Sequence, residues 1–231
     1  MLNGKRILAV TLARGGSKSV PRKNIADVNG KPLIQYTIDE VQKSPYIDQY
    51  LVSTDDEQIK SICEKLGGYC PFLRPAEFST DTATSADAVI HAVTFMQNLG
   101  EEFDYVVEVM VTNPLKISAD IDECIKLAVE NNVDACVAVN RVYDQHPARL
   151  KYIEDGFLKS FYPEIPESRR QDLTPEAFIR SGSIYVTKTN FLLKNKARYS
   201  KDTTLAYIIP DERVINIDTL EDLELARIKL T

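Results

Sequence analysis

The chain has 231 residues, 44% of them hydrophobic and 27% charged, and its formal charge is −6. A chain of this length closes a full hydrophobic core without disulfide or metal staples, so residues 1–231 read as one domain. The acidic balance excludes a general nucleic-acid binder, which needs a broad cationic face, and no apolar run reaches the roughly 18 residues of a membrane span.

Cys63, Cys70, Cys124 and Cys136 form no CxxC pair and only two histidines are present, so the usual zinc spacing is missing. Reduced thiols in a cytoplasmic protein are the expectation. Arg14 interrupts the N-terminal apolar run too early for a signal segment.

In chain order, Ile7 to Leu12 is a continuous apolar run that predicts a strand buried on both faces of a parallel sheet. Leu33, Tyr36, Ile38 and Val41 have helical spacing after Pro32. Tyr50 to Ser53 predicts a strand, and Ile59, Ile62, Cys63 and Leu66 a helix stopped by Gly67-Gly68. Helices are expected over Ala86 to Leu99 and Ala119 to Glu130, with strands over Tyr105 to Val111 and Ala135 to Val139. This alternation predicts an α/β, Rossmann-like fold: a mostly parallel sheet with helices on both faces.

Residues 141–180 break the rhythm. They hold four prolines and two short apolar runs around Asp155-Gly156, which predicts an inserted β-hairpin. Ser183 to Val186 and Val214 to Ile217 are expected as further strands, and Leu220 to Leu230 as a closing helix.

The segment ARGGSKSVPRKN, Ala13 to Asn24, sets Arg14, Lys18, Arg22 and Lys23 beside Gly15-Gly16 directly after the first strand. A basic, glycine-containing loop at the carboxyl end of a buried strand is where open α/β sheets bind ligands. Glycine lets backbone N–H groups approach phosphate oxygens, and the cations add charge-assisted bonds. Neither G-x-x-x-x-G-K nor G-x-G-x-x-G is present, which removes the ATPase and dinucleotide-dehydrogenase readings.

These residues, with Asn29-Gly30-Lys31-Pro32-Leu33, Val52-Ser53-Thr54-Asp55, Arg74-Pro75-Ala76-Glu77, Asp81-Thr82-Ala83-Thr84-Ser85 and Thr112-Asn113-Pro114-Leu115-Lys116, resemble the acylneuraminate cytidylyltransferases. Arg170-Gln171, Ser183-Ile184-Tyr185 and Asn216-Ile217-Asp218-Thr219 extend the likeness over nearly the whole chain. That family comprises the CMP-sialic acid synthetases and their legionaminic and pseudaminic acid relatives. The resemblance implies a nucleotidyltransferase fold, a homodimer built partly through the inserted hairpin, and dependence on Mg2+. It implies a reaction of CTP with a nonulosonic 2-keto sugar acid, giving a CMP-sugar and pyrophosphate.

On the same resemblance, Arg14, Ser17, Lys18, Lys23 and Asn24 hold the triphosphate beside Gly15, with Lys23 stabilising charge at the α-phosphorus. Leu12, Ala13, Arg74, Ala83 and Ser85 frame cytosine and ribose. Arg170, Gln171 and Tyr185 meet the sugar acid, with Met110 and Thr112 at the pocket wall.

Three departures stand out. Met110 replaces a Gln common in the sialic acid enzymes and can only pack. Ile179-Arg180-Ser181-Gly182 shifts an Arg and loses an Asn. Asn216 and Asp218 stand where the family has two metal-binding aspartates, and Asp218 also suits the cap of the next helix.

Asp120-Ile121-Asp122 mimics the acidic signature of GT-A-like glycosyltransferases, the main alternative enzyme class, yet helix-start acids explain it without metal. A non-catalytic nucleotide-binding paralogue is the third reading. His91 and His146 have no partner that suggests catalysis.

Overall fold

Ile7–Leu12 forms strand β1, buried except at its last residue. It pairs in parallel with β4 (Gln49–Ser53) on one side and β5 (Tyr105–Val109) on the other. The computed structural model, which describes residues 1–17, 19–80 and 82–230, shows why the run lacks polar alternation. Ile7 and Ala9 enter one core cluster with α4 (Ser118–Glu130), while Leu8 and Val10 enter another with α3 (Ser85–Asn98) on the opposite face. A strand covered on both faces gains from apolar residues at every position.

The main sheet has six strands in the order β10-β6-β9-β5-β1-β4, where β6 is Ala135–Val142, β9 is Ala177–Lys188 and β10 is Thr204–Ile208. Only β9 runs against its neighbours, β5 and β6, and the β10–β6 pair is parallel. The mostly parallel sheet flanked by helices agrees with the expected class. Helices α1 (Leu33–Val41), α2 (Glu57–Lys65) and α6 (Leu220–Lys229) share a third cluster with Val52 and Val111.

Local chemistry sets several boundaries. Asn29-Gly30, both at positive φ, turns β2 (Asp27–Val28) into β3 (Lys31–Pro32) ahead of α1. Thr84 and Asp87 form a capping box at the start of α3, and Thr219 and Asp222 form another at α6. Thr219, not Asp218, is therefore the cap of the closing helix.

One expected strand fails, and one strand was not anticipated. Val214 to Ile217 makes no ladder: Ile217 N–H reaches Thr112 O at 2.9 Å, but the segment remains irregular. Its alternating burial comes from Ile215 and Ile217 packing beneath α6. The sixth strand is instead β10, an edge strand whose residues stay partly or fully exposed and so lack a strong apolar signature.

Within 141–180, the ends of β6 and β9 pair through Arg141–Phe178 and Val142–Ala177. Between them lies a separate hairpin of β7 (Lys151–Glu154) and β8 (Phe157–Ser160), turned by Asp155 and Gly156 at positive φ. Its Ile153, Phe157 and Leu158 are 70–75% exposed.

Candidate active site

The chain leaving β1 is folded back by specific anchors. Ala13 N–H donates to Ser53 O at 3.0 Å and Gly15 N–H to Asp55 Oδ1 at 2.9 Å. A Cβ on Gly15 would stand 2.8 Å from Asp56 Oδ2, so the close approach to α2 admits only glycine. Arg22 then grips Asp56 at 2.6 and 3.0 Å and Gln58 at 2.6 Å. The guanidinium holds the Asp56 carboxyl below its usual range, and Asp56 also caps α2 through Ile59 N–H. Arg22 thus fastens the loop, whereas Arg14 lines the adjoining cleft.

Asn24 is buried and donates to Arg14 O at 2.9 Å, fixing the backbone behind that arginine. Lys23, on the 3-10 turn Lys23–Ile25, reaches across the molecule. Its Nζ donates to Ile217 O at 2.8 Å and to Asp218 Oδ1 at 3.1 Å. Asn216 Nδ2 in turn donates to Asp218 Oδ2 at 2.6 Å. Gly182 makes room for this group: it adopts φ +64°, and a Cβ there would stand 3.2 Å from Asn216 Oδ1.

Opposite the loop, Arg74 is 5% exposed, and its Nε donates to Ser79 Oγ at 3.0 Å while Nη1 donates to Ser53 O at 3.3 Å. Burial lowers its pKa, opposed by nearby Asp55 and helped by Arg14. Between these walls opens a cleft of about 340 Å3. Leu12, Arg14, Lys23, Asn24 and Arg74 line one part of it. Ala83, Ser85, Met110 and Thr112 line the rest, so residues from five distant segments converge. Cations dominate the mouth and an α/β carboxyl edge forms the floor, a combination suited to a triphosphate.

Other site candidates lie elsewhere. Arg170 and Gln171 sit on an exposed 3-10 turn, with the Arg170 guanidinium 4.3 Å over the Tyr143 ring, and neither lines the cleft. Tyr185 is 4% exposed and lies beneath Arg198, 4.1 Å from its ring centre. Ala13, Gly15 and Ser17 shape the loop without lining the cleft. Lys18 lies outside the described residues.

The cleft also contains Glu108 and Phe78, which the motifs did not single out. Glu108 had one signal: it is the only charged residue in the strand Tyr105–Val109. It is 3% exposed and ion-paired to Arg198 Nη1 at 2.5 Å. Burial pushes its carboxyl upward against the lowering effect of that guanidinium.

Asp120 has no oxygen left for a metal. It is fully buried and accepts from Tyr207, Ile117 N–H and both Nε and Nη2 of Arg213. The glycosyltransferase signature is therefore structural here. His146 caps a short turn and meets Pro175 O, while His91 packs on Phe72 and Phe78. Among the described residues, no group of three or more His, Cys, Asp or Glu side chains forms a metal centre. No helix of the described residues is long and apolar enough to cross a membrane.

An open, mostly parallel sheet with a cationic loop at its carboxyl edge and a cleft beside it defines a nucleotidyltransferase of the α/β class. The cytidylyltransferase family model matches residues 8–228, and the chain belongs to that family. It is 32% identical over 222 residues to pseudaminic acid cytidylyltransferase of Campylobacter jejuni subsp. jejuni serotype O:23/36, covering 96% of this chain and 94% of that protein. It is 32% identical to CMP-N,N'-diacetyllegionaminic acid synthase of Legionella pneumophila, covering 93% and 91% of the two chains.

N-acylneuraminate cytidylyltransferase of Streptococcus agalactiae serotype V is 31% identical, and the match covers 93% of this chain but 51% of that longer protein. The fold is shared with CMP:2-keto-3-deoxy-manno-octonic acid synthetase at a TM-score of 0.72 and 17% identity, covering 97% and 98% of the two chains.

Proposed function

We propose that the chain joins CTP to a nonulosonic 2-keto sugar acid. The sugar's 2-hydroxyl oxygen forms a bond to the α-phosphorus, the bond from that phosphorus to the β,γ-pyrophosphate breaks, and the hydroxyl proton leaves to solvent or to pyrophosphate. The observation that carries this reading is Lys23, held by the Asp218 carboxylate and the Ile217 carbonyl at the cleft mouth. A fixed ammonium there neutralises charge as it builds on the phosphoryl oxygens, with little reorganisation during reaction. Arg14 faces the same space, and Asn24 orders the backbone behind it.

The donors at this edge suit Mg2+. Asp218 is a largely exposed carboxylate with an amide-bearing Asn216 two residues away, and Mg2+ takes few protein ligands beside substrate phosphates and water. Asp218 and Asn216 would hold it, where it would neutralise phosphate charge. Arg74 with Ala83 and Ser85 would frame the cytidine, and Met110 with Thr112 the acceptor sugar.

Arg170, Gln171 and Tyr185 belong to the acceptor side in the related motifs, and in this chain Tyr185 acts through Arg198. A C2 dimer would bury the hairpin residues Ile153, Phe157 and Leu158, which a lone chain leaves open. Use of CTP and four cysteines without disulfides fit the cytoplasm.

The test is protein with CTP, Mg2+ and a panel of 2-keto sugar acids, read for pyrophosphate and CMP-sugar. Formation of both is expected. CTP binding with no pyrophosphate released in the presence of any acceptor tested would instead favour a non-catalytic nucleotide binder.

A further inference from the structure

Glu108 in β5 and Met110 and Thr112 at its exit all line the cleft. Thr112 lies next to the reacting edge, since its Oγ1 donates to Gly182 O and its carbonyl accepts from Ile217 N–H. Glu108 lies within β5, ahead of the turn that carries Thr112. It lies between Val10 of β1 and Tyr185 of β9 in the sheet register and lines the same cleft as Arg14 and Arg74. Its partner Arg198 comes over β9 and stacks on Tyr185, the residue paired with Glu108 in the sheet register.

The arrangement leaves a directed acceptor. Among the described residues, the hydrogen bond to Glu108 comes from Arg198 and ends on Oε2, leaving Oε1 to a cleft occupant. A carboxylate ion-paired to a guanidinium accepts hydrogen bonds and donates none. Beside it in the cleft lining stands Met110, which offers only apolar contact. An acceptor-only oxygen next to an apolar wall complements one kind of group well: an acylamido substituent, with its N–H on the carboxylate and its methyl on the thioether. A second carboxylate or a phosphate in that place would be repelled.

Resting on the function proposed above, we propose that Glu108, positioned by Arg198, is the specificity determinant for the sugar acid and selects its acylamido group. Glu108 contacts the acceptor directly. Arg198 acts through Glu108 and is a positioning residue. Cytosine, whose exocyclic amine is also a donor, is the competing occupant, since Arg74, Ser85 and Glu108 line one cleft.

The experiment compares an acylamido sugar acid with the analogue that carries a hydroxyl in its place, using wild type, Glu108→Gln, Glu108→Asp, Arg198→Ala and Arg198→Lys, each with its melting temperature. Wild type should favour the acylamido acceptor. Glu108→Gln keeps the shape and loses the charge, so the KM for that acceptor should rise about tenfold while the KM for CTP stays within about twofold. The preference should shrink accordingly. Arg198→Lys, which retains a cation, should restore part of the preference lost in Arg198→Ala.

Unchanged preference in a folded Glu108→Gln protein would overturn the assignment. So would a KM change confined to CTP, which would assign Glu108 to cytosine. If Glu108→Gln fails to fold, Glu108→Asp tests the contact by distance, since it withdraws the carboxylate by one methylene, and the KM for the acylamido acceptor should again rise while that for CTP does not. Wild-type protein silent with every acceptor would defeat the parent reading, an outcome distinct from an active enzyme whose preference ignores Glu108.

Discussion

Lys23 and Asp218, 195 residues apart in sequence, meet at 3.1 Å and close the cleft edge between the first loop and the last irregular segment. The contact ties a cation that lines the cleft to the only carboxylate of the Asn216–Asp218 pair. The two charges hold each other in place before substrate arrives, which is how preorganisation lowers a barrier without cost at the moment of reaction.

Lys23→Ala should leave the fold intact, because the side chain lies at the cleft rather than in a core cluster. Turnover should fall by about 10²–10³, the usual cost of removing one preorganised donor. Steady-state kinetics beside a thermal melt checks it. A folded variant with near-normal kcat would remove Lys23 from the transition state.

The hairpin gives a prediction about assembly. Ile153, Phe157 and Leu158 are each at least 70% exposed, with Ile153 and Leu158 paired across the hairpin, and such exposed apolar surface is commonly covered by a partner. Light scattering at micromolar concentration should give a dimer mass. Replacing Phe157 and Leu158 together by Asp should give a monomer of unchanged helix content.

The sequence made local elements legible and long-range ones not. β1 and α3 could be read because an unbroken apolar run and a Thr84/Asp87 cap are local signals. Val214 to Ile217 misleads because Ile215 and Ile217 alternate inward without any neighbouring strand, and β10 hides because an edge strand buries little. The nucleotide loop was legible since its glycines and cations are contiguous. Glu108 and Arg198 were not, because their meaning arises from an ion pair spanning 90 residues.

Lys116 supplies a pH prediction. It is 1% exposed, and its Nζ contacts Thr37 Oγ1, Met110 O and Asn113 O at 2.7–2.8 Å, bracing the turn that presents Met110 and Thr112. Burial pushes this ammonium from 10.5 down to about 7, against the opposing pull of Glu40 and Asp120. Between those two values the unfolded chain holds a proton that the folded chain has released, so stability rises with pH across the interval. The melting temperature of wild type minus that of Lys116→Met should therefore grow from pH 7 to pH 10. A flat difference would mean that Lys116 keeps its proton when buried.

The Asn216–Asp218 pair separates metal binding from mere structure. Asp218 does not cap α6, since Thr219 takes that position, so Asp218→Ala should cost less than the roughly 0.5–2 kcal/mol of a lost cap. If the pair holds Mg2+, Asp218→Ala should nearly abolish turnover and raise the Mg2+ needed for half-maximal rate. Asn216→Asp exchanges a neutral oxygen donor for a charged one, which a hard cation binds more tightly, so half-maximal Mg2+ should fall. The same change replaces the 2.6 Å amide-to-carboxylate bond by two facing carboxylates, which repel when no cation lies between them. Asn216→Asp should consequently melt lower than wild type without Mg2+ and recover when it is added. Titrating Mg2+ in both rate and melting measurements checks the two signs together, and an Asp218→Ala enzyme with an unaltered Mg2+ response would place the ion elsewhere.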